Sequence, residues 1–124
     1  MEIKSEFNKN LKTIFNFLGN LKIKNLKYEN KEITGKYANK NFVITKANFN
    51  FIITGKVQKL HKVIQAFIDY SNCKKKKIDY VLNEFELGKL HIGTSNLIVT
   101  EKRQALAVAL NISNKYCERL KPKY

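Results

Sequence analysis

Lysines and aromatic residues alternate between residues 21 and 54, and this is the pattern with the clearest chemical meaning in the chain. Proteins that hold single-stranded nucleic acid commonly stack bases on aromatic rings while basic groups follow the phosphates. If these residues share the polar face of a sheet, we expect that face to bind nucleic acid. The alternative is that the aromatic residues belong to the core. The residues concerned are Lys22, Lys24, Lys27, Tyr28, Lys36, Tyr37 and Lys40, and the alternation continues through Phe42 and Lys46.

A second set of cations lies in the C-terminal half of the chain. Lys102 and Arg103 fall in the predicted first turn of a helix, where cations oppose the helix dipole. An anion bound there would be held by the dipole, the amides and the cations together. The alternative is a solvated basic turn. The predicted nucleic-acid-binding residues of this half are Lys74, Lys75, Lys76, Lys77, Lys89, Lys102, Arg103 and Arg119.

The charge balance of the chain is strongly basic. The 124 residues include 24 Lys and Arg against 10 Asp and Glu, which gives a net charge of +14 and a pI of about 9.8. Such a chain attracts phosphate-rich partners through the release of counterions. Arginine occurs only at Arg103 and Arg119, and lysine lacks the planar fork that reads guanine edges. We therefore expect binding to the nucleic-acid backbone with little sequence preference.

No arrangement of side chains predicts catalysis or metal binding. His61 and His91 lie far along the chain from either cysteine, so a metal site would need ligands from distant segments. Asp69 and Asp79 alone do not make the acidic metal cluster that a nuclease needs. No nucleophile has a base at a recognisable spacing, and no Gly-Lys-Ser phosphate loop occurs. We expect a non-enzymatic protein without a metal site or a cofactor.

The two cysteines, Cys73 and Cys117, do not form a Cys-x-x-Cys pair. Neither a disulfide framework nor a zinc ribbon is therefore predicted. No apolar run reaches the ~18 residues of a membrane span, and the first residues lack the apolar core of a signal peptide. The expectation is a protein located inside a cell or a virus particle, neither secreted nor bound to a membrane.

The elements that position these residues predict an α+β fold whose core module spans residues 1–72. Apolar residues up to Leu18 recur at helical spacing, with Ser5 as N-cap and Gly19 as a left-handed C-cap. Four β-prone runs with short breaks follow and predict an antiparallel meander. A helix that opens at Gly55 and ends near residues 71–72 then covers the sheet. The predicted strands are residues 21–28, 32–37, 42–46 and 48–54, and Phe49, Phe51 and Ile53 face the core.

Residues 73–124 are predicted to form a basic linker and a helical C-terminal region. The four lysines 74–77 are expected to be a hinge or an exposed corner. A short helix over residues 78–85 then stops at Gly88, and a loop at residues 93–96 follows. Thr100 is placed to cap a last helix.

Part of this region carries a resemblance. It contains a Gly88-Lys89-Leu90 loop, then Gly93-Thr94-Ser95, then Arg103-Gln104-Ala105 followed by alternating alanine and aliphatic residues up to Leu110. Residues 81–110 thereby resemble a small domain of unknown function found in phage, plasmid and giant-virus proteins. That family has no established chemistry, so the resemblance implies an origin rather than an activity. After Leu110 the chain departs from the Ser-Glu-Ala-Arg-like end of the family.

A second pattern overlaps the first. Residues 106–120 are similar to the core of a helix-turn-helix with Asn111-Ile112-Ser113 as the turn. In that motif the second helix enters the major groove of DNA. Here the second helix would have barely two turns before Pro122.

These patterns together predict a non-enzymatic, largely sequence-tolerant nucleic-acid-binding protein, encoded by a virus or a mobile element. The sequence does not distinguish single-stranded from double-stranded nucleic acid as the partner, and a symmetric homodimer is also compatible with it. The alternative is a protein-interaction module, either a virion component or an inhibitor of a host defence enzyme. Its basic face would dock on an acidic protein partner.

Overall fold

A computed structural model describes residues 1–7, 9–91 and 97–122 of the chain. It contains an antiparallel sheet and helices, so the predicted α+β class is confirmed. The chain divides into two compact units. The sheet unit comprises Met1–Asp69, joined by Pro122, and the helical unit comprises Tyr70–Lys121. The predicted loop at residues 93–96 lies outside the described residues.

The sheet has five strands rather than the predicted four. In sequence order they are β1 (Glu2–Ile3), β2 (Lys24–Glu29), β3 (Glu32–Tyr37), β4 (Lys40–Ala47) and β5 (Asn50–Thr54), and their spatial order is β1-β5-β4-β3-β2. Two residues are too few to show an alternating pattern, which is why β1 is not visible in the sequence. Asn30 and Lys31 both have positive φ, and so do Ala38 and Asn39. Tight hairpins need this conformation at both central residues.

The first helix, α1 (Leu11–Leu18), is half as long as predicted. Asn10 is the N-cap, because its side chain accepts a hydrogen bond from the backbone N–H of Thr13 at 2.9 Å. Ser5 does not cap the helix, since its hydroxyl donates to the carbonyl of Phe7 at 2.6 Å. Gly19 ends the helix as predicted, but its φ of −61° is right-handed rather than left-handed.

The core of the sheet unit lies between one face of the sheet and two helices. Phe17 of α1 stacks on Phe67 with ring centroids 4.1 Å apart. Phe49 was expected in this core, but it lies in the β4–β5 turn and is 55% exposed. Burial of each large apolar side chain stabilises the fold by ~1.5–3 kcal/mol. The buried residues are Ile3, Leu11, Ile14, Phe17, Leu18, Ile33, Phe42, Ile44, Phe51, Ile53, Val57, Leu60, Ile64 and Ile68.

The second helix, α2 (Gln58–Glu86), runs without interruption through the predicted linker. The expected helix end at residues 71–72 and the expected hinge at the four lysines 74–77 are both wrong. Lysine is a good helix former, and no glycine or proline occurs between Gly55 and Gly88. The helix stops where Gly88 adopts a φ of +70° and its N–H donates to the carbonyl of Phe85.

The third helix, α3 (Lys102–Tyr116), packs on α2 through small residues. Its N-cap is Glu101 rather than the predicted Thr100. The helix-turn-helix alternative does not hold, because residues 111–113 continue the helix, and among the described residues a 3₁₀ helix (Glu118–Leu120) follows. The buried stripe on α3 is Ala105, Ala109 and Ser113, and the cluster adds Val81, Leu90 and Val99.

A disulfide, which the sequence did not indicate, joins Cys73 of α2 to Cys117, directly after α3. The two residues are 44 positions apart in sequence, so no local spacing reveals the pairing. Closing a loop of this length stabilises the folded state by about 4 kcal/mol in the chain-entropy account. Within the described ranges, no helix has the length and apolar character that crossing a membrane requires.

Candidate nucleic-acid interface

The sheet separates the lysines and tyrosines that the sequence pattern placed together. Lys24 lies opposite Lys36 and Lys27 lies opposite Thr34, whereas Tyr28 lies opposite the buried Ile33. Cross-strand partners share a face, and successive residues of a strand point to opposite faces. The three lysines therefore lie on the outer face of the sheet, and Tyr28 lies on the face covered by the helices. The outer face of the sheet therefore does not interleave these lysines with tyrosine rings.

The aromatic residues of the sheet belong to the core side, as the alternative interpretation held. Phe42 is 2% exposed, and Tyr37 packs against the core cluster. The ring of Tyr28 lies 5.8 Å from that of Phe15 in α1. The outer face keeps cations at one end and carboxylates at the other, where Glu29 lies opposite Glu32.

The remaining lysines of the sheet region lie elsewhere. Lys22 is exposed in the segment before β2. Lys40 lies opposite Tyr37 and lines a cleft of about 730 Å³ together with Lys56 and Lys59. Lys46 lies opposite the buried Phe51, on the covered face. Lys40 and Lys46 therefore do not lie on the outer face with Lys24 and Lys36.

The four lysines 74–77 lie on the second half of α2, inside the helical unit, and two of them contact tyrosine rings. The ammonium of Lys74 lies 5.2 Å from the ring centroid of Tyr70. The ammonium of Lys77 lies 5.0 Å from the centroid of Tyr80 and 4.6 Å from that of Tyr116. These are cation–π distances. We call these five residues the lysine–tyrosine face.

The other two lysines of the run are exposed on the same helix. Lys75 pairs with Asp79 at 3.4 Å, one turn further along α2. Both side chains of this pair are largely exposed, so the pair contributes only ~0–1 kcal/mol. A phosphate can compete for such a lysine at little cost.

The titration of the Tyr80 hydroxyl is affected by a carboxylate one turn along α2. A hydrogen bond to Glu84, and the negative charge of that side chain, raise the pKa of Tyr80 above its ordinary value of 10.0. The phenol therefore stays neutral at physiological pH.

The disulfide positions Tyr116, the fifth residue of the lysine–tyrosine face. Tyr116 precedes Cys117, and Lys77 lies one helical turn beyond Cys73, so the bond holds both residues at the same end of the helical unit. Arg119, in the exposed 3₁₀ helix, lies two residues beyond Cys117. Lys115 and Lys121 line a shallow hollow of about 380 Å³ together with Tyr70. Cations from distant parts of the sequence thus collect around the lysine–tyrosine face.

Three predicted cations lie at the opposite end of the helical unit. Lys102 and Arg103 are exposed in the first turn of α3, and Lys89 is exposed just after α2. At 1.5 Å per residue, α3 separates its first turn from the disulfide by about 20 Å. These residues therefore do not belong to the same cluster as Lys77 and Arg119.

In the part of the chain that the structure describes, no three His, Cys, Asp or Glu side chains are grouped so that they could hold a metal ion. No family model, no curated protein and no solved structure matches the chain. The resemblance of residues 81–110 to the viral and plasmid domain therefore stays a prediction.

Sequence reasoning missed Tyr70, Tyr80 and Tyr116. The first two lie four residues before Lys74 and three residues after Lys77. On a helix this spacing places side chains on the same face, so an uninterrupted helix would have indicated them. The third becomes a neighbour only through the disulfide, and no pattern in the sequence predicts that contact.

Proposed function

We propose that the protein binds nucleic acid without catalysing a reaction, and that the second half of α2 provides the main contact. The observation that carries this proposal is the grouping of cations at one end of the helical unit. The four lysines 74–77 share a helix, and the disulfide adds Lys115, Arg119 and Lys121 at the same end. A net charge of +14 supplies long-range attraction to a polyanion.

Binding of this kind acts on phosphates rather than on base edges. Six of these seven cations are lysines, which neutralise phosphates as point charges. Each phosphate contact releases counterions, so the affinity falls steeply as the salt concentration rises. The proposed contact is therefore tolerant of sequence.

Two triple variants with equal loss of charge test which unit makes the contact. K74Q/K75Q/K76Q removes three cations from α2, and K24Q/K27Q/K36Q removes three from the outer face of the sheet. Fluorescence anisotropy with labelled single-stranded DNA, duplex DNA and RNA is measured at several salt concentrations. We expect the α2 variant to lose affinity and to reduce the slope of log K against log salt by about 0.7–0.9 for each lost phosphate contact.

The sheet variant K24Q/K27Q/K36Q is the control for the α2 variant. If both triple variants lose affinity equally, total charge rather than the α2 surface determines binding. If the unaltered protein binds only in the ~10⁻⁴–10⁻⁶ M range of any basic protein at physiological salt, nucleic acid is not its specific partner.

The second candidate is a protein-interaction module, because the helical unit exposes several large apolar side chains. Leu106 and Leu110 lie one turn apart on α3 and are both exposed, as are Leu87, Leu97 and Ile98. Apolar anchors suit a protein partner better than a phosphate backbone. Titration with a random copolymer of glutamate and tyrosine, a probe that offers carboxylates and apolar rings together, distinguishes the candidates. Under this second candidate, L106S/L110S weakens binding of the copolymer and leaves DNA affinity unchanged.

A further inference from the structure

We propose that Tyr80 and Tyr116, on either side of Lys77, form a stacking site for unpaired nucleobases, so that the protein prefers single-stranded nucleic acid. This inference rests on the proposed nucleic-acid binding. It adds the class of ligand that the lysine–tyrosine face selects.

The two rings are unusually accessible for aromatic side chains. Tyr80 is 58% exposed and Tyr116 is 57% exposed. By contrast, Tyr37 packs against a core and Tyr28 contacts Phe15. Rings this exposed contribute little to the stability of the fold, and a flat apolar face in water is available to a ligand.

The positions of the two rings are restrained by their neighbours. The ring of Tyr80 contacts the ammonium of Lys77, one turn earlier on the same helix. The neighbouring disulfide restrains the backbone at Tyr116. The ammonium of Lys77 lies within 5.0 Å of both centroids, so both rings border the same small space. A stacking site needs this degree of order, because a freely rotating ring would lose much of the stacking free energy as entropy.

Lys77 connects ring binding with phosphate binding. In the free protein its ammonium lies over both rings. A base that stacks on a ring replaces this cation–π contact, and the flexible lysine side chain can then reach a phosphate of the same strand. The neighbouring cations at positions 74, 75 and 76 extend this path along α2.

Stacking on a ring selects single strands because a duplex covers both faces of its bases. An unpaired base offers a free face, and every base has one, so the site is tolerant of sequence. Removal of a ring that stacks a base lowers affinity by about tenfold or more. Loss of both rings should therefore abolish most of the preference for single strands.

The test compares two strands that carry equal phosphate charge. Labelled oligothymidylate, longer than the ~4–16 nucleotides that single-strand-binding domains cover, is titrated beside an abasic strand of equal length. The same titration uses a duplex. We expect the protein to bind oligothymidylate at least about tenfold more tightly than the abasic strand. In Y80A/Y116A this difference should disappear, while affinity for the abasic strand stays the same.

Matched variants separate stacking from other causes. Y80F/Y116F keeps both rings and should keep the preference. Y28A instead removes a partly exposed ring of the sheet unit, which contacts Phe15, and should leave the preference unchanged. Thermal unfolding of each variant verifies the fold.

The outcomes distinguish this inference from the function on which it rests. Equal affinity of the unaltered protein for oligothymidylate and the abasic strand would overturn the stacking site and leave phosphate binding intact. Retained preference in Y80A/Y116A would also overturn it. Weak binding to all three ligands would instead reject the proposed function.

Discussion

The two units of this protein are held together in different ways. The sheet unit encloses fourteen buried apolar residues between a sheet and two helices. Among the described residues, the buried cluster of the helical unit has five members, two of which are alanines. A small core rarely suffices for a stable fold, and a disulfide is a common supplement. In the helical unit the cysteines take over a role that packing fulfils in the sheet unit.

The same contrast extends to the aromatic residues. The sheet unit buries Phe42 and Phe51 completely or nearly so, whereas the helical unit leaves Tyr80 and Tyr116 more than half exposed. A unit stabilised by a covalent bond does not need these rings in its core. It can therefore present them to a ligand.

The largest predicted effect is the loss of a large side chain from the core of the sheet unit. Phe51 is fully buried and belongs to the core cluster. We expect F51A to lower the free energy of unfolding by ~3–5 kcal/mol, because it removes apolar contacts and leaves a cavity. Urea denaturation followed by circular dichroism measures this change. A loss below 1 kcal/mol would show that the sheet core is less tightly packed than described.

Removal of the disulfide should produce a smaller and more local loss. We expect C73S/C117S to lose ~2–4 kcal/mol of stability, and the loss should be concentrated in the helical unit. Hydrogen exchange should show faster exchange in α3 and unchanged protection in β3 and β4. Uniform loss of protection across both units would contradict the contrast drawn above.

A larger side chain in the small-residue stripe of α3 should lower the free energy of unfolding by less than the loss of the disulfide does. Ala109 is fully buried where α3 packs on α2, and a larger side chain there forces the helices apart. We expect A109L to destabilise the protein by ~1–3 kcal/mol. The exposed neighbour Ala107 provides the control, since A107L should change stability by less than about 0.5 kcal/mol. Equal effects of the two variants would show that the stripe is not closely packed.

The smallest predicted effect concerns the titration of one tyrosine. The hydrogen bond and charge of Glu84 raise the pKa of Tyr80 above 10.0. The interaction therefore stabilises the fold fully below the ordinary tyrosine pKa and is lost as the pH rises through the raised value. We expect E84A to return the pKa of Tyr80 to its ordinary value and E84Q to lower it partly, because glutamine keeps an acceptor without the charge.

An NMR titration of the assigned Tyr80 ring measures these shifts. An unchanged pKa of Tyr80 in E84A would show that Glu84 does not act on this hydroxyl.

Four of the five strands could be placed approximately from sequence because their turns carry local signals. Positive-φ residues such as Asn30 and Asn39 lie at the breaks that the sequence indicated. The alternation of apolar and polar residues also identified Phe51 and Ile53 as buried. Phe49 fits the same alternation but is exposed, because it lies in a turn, where side chains do not alternate between two faces of a sheet.

The candidate site could be predicted only in part, for two physical reasons. The lysines are visible as a run, but residues 71–77 lack apolar side chains at regular spacing, so α2 was interpreted as ending before them. Contacts across α2 and α3 depend on Cys73 and Cys117, which are far apart in sequence. Tertiary proximity of this kind has no signal in a single sequence.

The disulfide also links the proposed binding preference to the redox poise of the surroundings. Glutathione at cytosolic poise keeps most protein thiols reduced, whereas oxidising compartments preserve such bonds. Reduction would free the backbone at Tyr116 and separate its ring from Lys77, while the lysines of α2 would keep their charge. Under the proposed function, the reduced protein would still bind polyanions, and it would distinguish single strands from duplexes only where its two cysteines form the disulfide.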